Sequence, residues 1–161
     1  MSVNRYQPHV FVLPEDDANR QLANGFLLDL DQSVTRRIQV LEEAGGWIEV
    51  LDRFKSDHIS WMTRYPERLM VLLIDFDGQT DRLDRAKAEV PNHLSERVFV
   101  LGALTEPEAL RKNLGTYETI GVEMARDCRE ETDNIWRHDL LRHNAGELDR
   151  LRTRVRPLLF D

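Results

Sequence analysis

The chain has 161 residues, of which 41% are hydrophobic and 32% charged, enough for one domain with a real core and too apolar for a disordered polymer. Its net charge of −7 excludes a protein that coats nucleic acid by charge alone, and no apolar run approaches the roughly 18–20 residues that span a bilayer. The single cysteine, Cys128, excludes an internal disulfide. Together with the absence of a signal-peptide h-region after Met1, it leads us to expect a cytoplasmic protein with no membrane partner.

Residues 8–13 predict a first strand, followed by the acidic cluster Pro14-Glu15-Asp16-Asp17. Glu15 to Leu30 predicts a helix with Leu22, Phe26 and Leu30 on one face. Pro14 and the three acids suit its positive N-terminal end. Arg36 to Leu41 predicts a second strand, and Gly45-Gly46 breaks the chain. Trp47 to Met62 reads as an amphipathic helix with Ile48, Leu51, Phe54 and Ile59 broadly on one side, closed by Pro66. Residues 69–75 form the most apolar strand, running into Asp75-Phe76-Asp77-Gly78. Thr80 to Val90 predicts a charged helix stopped near Pro91. Arg97 to Leu101 predicts a fourth strand turned by Gly102. Thr105-Glu106-Pro107-Glu108 has the pattern of a helix start, with Thr105 as N-cap. Residues 117–131 and 134–156 predict two further helices, and Leu141, Leu148, Leu151 and Val155 space as one buried stripe.

Short continuous apolar runs rich in Val, Ile and Leu suit strands buried on both faces of a parallel sheet. The order β-α-β-α-β-α-β followed by helices therefore predicts a single α/β domain over residues 1–161. It would be a Rossmann-like four-stranded parallel sheet with flanking helices over 8–110 and a C-terminal helical extension over 111–161. That extension is a candidate surface for a protein partner or a second copy of the chain.

In open α/β sheets ligands bind outside the carboxyl ends of the strands. Asp75 and Asp77 leave the third strand, and Gly78 permits the turn that lets both reach one cation. Glu15 leaves the first strand and can bind the same metal or transfer a proton. Glu106 and Glu108 follow the fourth strand as outer or second-metal ligands. All are hard oxygen ligands suited to Mg²⁺, with Mn²⁺ as a substitute. Asp16 and Asp17 fit a helix N-terminus better than they fit a ligand set. His138 and His143 lack the spacing of a helical metal pair, and no Gly-rich phosphate loop or zinc motif occurs. The arginines from Arg111 to Arg156 are interleaved with acids, so a solvated face is their default reading.

The segment Val10-Phe11-Val12-Leu13-Pro14-Glu15, followed by Leu72-Leu73-Ile74-Asp75-Phe76-Asp77-Gly78, resembles the motif pair of a TOPRIM domain. That family has a Glu after its first strand and Asp-x-Asp after its third. The resemblance covers roughly residues 8–110 and implies Mg²⁺-dependent chemistry on phosphodiester bonds of nucleic acid, of the nuclease type, with Glu15, Asp75 and Asp77 as catalytic residues. It departs where Asp16 stands in place of the family's Gly. A receiver domain of the response-regulator type is also similar, with Asp16-Asp17, Asp75 and Thr105 at its acidic, phospho-acceptor and Thr positions. On that alternative the chain is a non-catalytic, Mg²⁺-binding signalling or interaction module. The phrase from Asp75 to Thr80 further resembles a haloacid-dehalogenase opening, without that family's later motifs.

Overall fold

The computed structural model describes residues 3–161. Four strands form one all-parallel sheet: β1 (His9–Pro14), β2 (Ile38–Val40), β3 (Arg68–Leu73) and β4 (Val98–Leu101), in the order β2-β1-β3-β4. Val10 is level with Ile38 on one side and Leu69 on the other, and Val71 is level with Phe99. The predicted α/β class with a four-stranded parallel sheet is what is observed.

Alternate side chains of the same strands feed two separate cores, as a period of two requires. Val10, Val12, Leu69, Val71, Phe99 and Leu101 face one side. Leu13, Met70, Leu72, Ile74, Val98 and Val100 face the other. The first face is covered by α1 (Asp17–Leu28), α6 (Tyr117–Glu130) and α7 (Ala145–Leu159). The second is covered by α2 (Trp47–Arg53), α3 (Ile59–Arg64) and α4 (Arg82–Ala88). A short α5 (Glu108–Leu114) sends Leu110 into the first core.

Helices α1 and α6 approach so closely that two glycines are required. A Cβ on Gly25 would overlap the Glu118 carbonyl, and one on Gly121 would overlap the Leu22 carbonyl. An apolar cavity of ≈ 90 Å³ remains between the sheet and α1, α6 and α7, lined by Ala23, Leu73, Met124 and Leu148 among others. Its lining offers water almost no partner, so it stays dry. Cys128 also lines it, and burial pushes that thiol up to about 11, so it is not a thiolate near neutrality.

Several predicted boundaries move. The helix from Trp47 is interrupted by a π-helical turn at Phe54–His58. Ile48, expected on its apolar side, is 46% exposed, and Val50 takes the buried position. Thr105 caps nothing: α5 begins at Glu108 behind Pro107, with no side-chain cap. The helix predicted from residue 134 starts only at Ala145. The reason is Asp127, 2% exposed, whose carboxylate accepts from the Thr132 hydroxyl (2.6 Å) and the Ile135 N–H (2.7 Å). Those bonds fix residues 132–136 as a loop, because a side chain that satisfies backbone donors competes with the helix. Leu141 still reaches the core, from outside the helix.

The loop is pinned to the sheet by Asn144, 2% exposed. Its side chain accepts from the Gly102 N–H (3.1 Å) and donates to the Gly102 carbonyl (3.0 Å) and the Leu141 carbonyl (2.8 Å). Gly102 in turn lies against the Ile74 carbonyl, where no Cβ would fit. Among the described residues no helix is long and apolar enough to cross a membrane.

Candidate metal centre

The chain leaves β1 toward the α1 face and leaves β3 toward the α4 face, although β1 and β3 are neighbours. The two connections diverge, and a crevice opens between them at the carboxyl ends of these strands. This is the topological switch point, where open α/β sheets place ligands.

Three carboxylates meet there. Glu15 and Asp16 come from the β1–α1 connection and Asp75 from the end of β3, and each offers an oxygen within 4.8 Å of the others. The Glu15 N–H bonds the Leu73 carbonyl (2.9 Å), extending the β1–β3 ladder by one step. Its Oε2 accepts from the Asp75 N–H at 2.7 Å. Asp16 is the N-cap of α1, its Oδ1 accepting from the Asn19 N–H at 2.9 Å. Asn19, fully buried, donates from Nδ2 to Asp16 Oδ1 (2.9 Å) and to Asp75 Oδ1 (2.9 Å). The Asn19 Oδ1 is itself buried without a hydrogen-bond partner.

No family model, curated protein or solved structure matches the chain. The chemistry of the crevice therefore carries the functional reading.

Burial is the first cause that pushes the Asp75 carboxyl up, to about 8, with the charges of Glu15 and Asp16 adding to it and the Asn19 bond opposing it. Burial also raises Glu15, against the Asp75 N–H that favours its charged form. Arg82 is close but does not neutralise the cluster. It donates to the Asp75 backbone carbonyl (2.8 Å) and to Asp77 (2.9 Å), not to the Asp75 carboxylate. Without a cation the cluster closes on a proton shared near Asp75. With one, the donors are all hard oxygens: three carboxylates and the unpartnered Asn19 Oδ1. That set fits Mg²⁺ or Mn²⁺ and offers nothing to soft metals. The buried acidic cluster can thus hold a divalent cation.

Of the residues expected from the sequence, Glu15 and Asp75 come together. Asp77 does not join them: it sits at φ 49, so the chain curls into the left-handed turn completed by Gly78, and its exposed carboxylate pairs with Arg82. Glu106 and Glu108 are exposed around the start of α5 and lie outside the cluster. His143 lies edge-on to Phe76, ring centroids 4.9 Å apart, and lowering of its basicity follows from burial.

Asp16 and Asn19 are the members that sequence reasoning did not place in the site. Asp16 has the helix-capping role expected of it, and capping does not prevent its second oxygen from facing the crevice. Asn19 had one signal: a polar amide one turn into α1, on the side that carries Leu22 and Ala23.

Proposed function

We propose that Glu15, Asp16 and Asp75 bind one Mg²⁺, with Mn²⁺ as a substitute, and that the chain acts on phosphodiester bonds of nucleic acid. The observation that supports this is the convergence of three carboxylates from adjacent strand ends at the switch point, beside the unpartnered Asn19 Oδ1. A bound cation there supplies charge stabilisation to a phosphoryl group. Asn19 holds Asp75 and Asp16 in one orientation through its two Nδ2 bonds. Glu15, raised by burial, is the group placed to accept or return a proton. Arg85 is exposed with its guanidinium 5.0 Å from the Trp47 ring centroid, next to Arg82, and gives this edge cationic groups for a phosphate. Glu106 and Glu108 keep their place as second-metal candidates on α5. Calorimetric titration with Mg²⁺ and Mn²⁺, alongside hydrolysis of labelled DNA and RNA, tests the reading. Binding lost in Asp75→Asn and metal-dependent cleavage support it; an unchanged titration in that variant overturns it.

The order β2-β1-β3-β4, with acids after β1 beside Asp75 after β3, favours one second reading. In it the chain is a receiver-like module that accepts a phosphoryl group on Asp75 and does no hydrolysis. Acetyl phosphate separates the two: a hydroxylamine-sensitive label on Asp75 supports the second reading and counts against the first.

A further inference from the structure

The opposite edge of the sheet, where the strands begin, has the inverse chemistry. Arg5 precedes β1, Arg37 precedes β2, Arg68 opens β3 and Arg97 precedes β4. Two of these are spent inside. Arg68 donates to His9 (2.9 Å) and lies 4.1 Å over the Phe11 ring, while Arg97 caps the carbonyls of Met62, Tyr65 and Arg68. Outside them Arg5, Arg37, Arg64 and Arg154 are exposed, against the exposed Glu67 and Glu96.

Aromatic rings stand among these cations. Trp61 stacks on Tyr65 with an interplanar angle of 8°, and Tyr6 meets Tyr65 edge-on at 5.7 Å. The Arg5 and Arg64 guanidiniums lie 5.4 and 5.7 Å from the Tyr65 ring centroid. Tyr65 is buried, yet Tyr6 is 75% and Trp61 42% exposed. Both are large apolar groups left open to water without any apolar neighbour that would explain a core role. Beside them runs a groove of ≈ 530 Å³, lined by Gln7, Pro8, Arg37, Glu67 and Arg154 among others.

We propose that this edge binds single-stranded nucleic acid, with Tyr6 and Trp61 stacking bases and Arg5, Arg64, Arg37 and Arg154 meeting phosphates. Open ring faces interleaved with guanidiniums, next to a cationic groove, are what a sequence-tolerant single-strand site requires. A duplex hides its base faces and would leave the rings unused. An acidic polypeptide would use the arginines and leave the rings unused as well. The surface is separate from the carboxylate crevice by the length of β1, six residues or about 20 Å, so it anchors a strand and does not present it to the acids.

The test is anisotropy of a labelled oligothymidylate with the full chain at several salt concentrations, read together with tryptophan emission. We expect saturable binding with quenching of Trp61. Trp61→Ala and the pair Arg5→Glu, Arg64→Glu should each weaken it at least about tenfold. Each neutralised arginine should also reduce the slope of log K against log salt by about 0.7. Trp61→Phe retains a ring on Tyr65 and should keep most of the affinity, which separates lost stacking from lost fold. Asp75→Asn should bind as wild type, so failure of the metal reading leaves this one standing. Absence of binding at low salt, insensitivity to Trp61→Ala, or equal competition by polyglutamate or duplex would overturn it.

Discussion

Replacing Asp75 by Asn should stabilise the protein at neutral pH, by an amount set by the crevice. The carboxyl titrates at about 8 in the fold against an ordinary 3.8, because burial and the charges of Glu15 and Asp16 disfavour its anion. A carboxyl raised in this way binds a proton in the folded chain where the unfolded chain has lost it. Its contribution to stability is therefore complete below about pH 3.8 and declines as pH rises, until the folded group ionises near 8. At ~1.4 kcal/mol for each unit, the cost carried by wild type at pH 7 is at most about 4 kcal/mol. Asn keeps the shape, accepts from Asn19 through its oxygen and donates its amide toward Glu15. Thermal unfolding followed by circular dichroism in chelator should then show the variant higher in Tm by up to about 10 °C at pH 7 and level with wild type near pH 4. Saturating Mg²⁺ should raise wild type and not the variant. A Tm difference that does not change between pH 4 and pH 7, or a variant less stable at pH 7, would refute the reasoning.

Because a cation must displace the Asp75 proton, the apparent Mg²⁺ affinity should rise up to about tenfold per pH unit between pH 6 and 8; calorimetry in buffers of differing ionisation enthalpy would report the released proton. Gly121→Ala drives a methyl into the Leu22 carbonyl and should cost about 3 kcal/mol in urea unfolding, with Gly25→Ala similar from the facing helix. Asn144→Ala strands both backbone groups of Gly102 and should cost about 2–3 kcal/mol while accelerating proteolysis within residues 131–144.

The sheet was legible because its strands are short, continuously apolar and each bounded by turn chemistry, and because acids cluster where they end. Glu15 and Asp75 followed from that placement. Asp77 did not behave as spacing suggested: two acids one residue apart share a face only in extended backbone, and the chain turns left-handed between them and Arg82. Asn19 was hidden because its partner Asp75 lies 56 residues away, a distance across which no local pattern speaks. The late start of α7 was hidden for a similar reason. Its cause is Asp127 holding backbone donors that the helical periodicity alone would assign to the helix. The expected partner surface on the C-terminal helices has its apolar stripe turned inward, with Leu148, Leu151 and Val155 in the first core. Its arginines are largely engaged within the chain, Arg129 with Asp29, Arg150 with Glu147 and Arg152 with Asp133.

That inward stripe has a bearing on biosynthesis. Strands β1, β3 and β4 and the helices of one face are all made before residue 102, so half of the hydrophobic interior can close while the chain is still growing. The other half waits for α6 and α7, and the Asn144 latch on Gly102 is translated more than forty residues after the strand it secures. During that interval Val10, Val71 and Phe99 present a wet apolar wall, which makes the nascent form, rather than the finished molecule, the natural client of a chaperone.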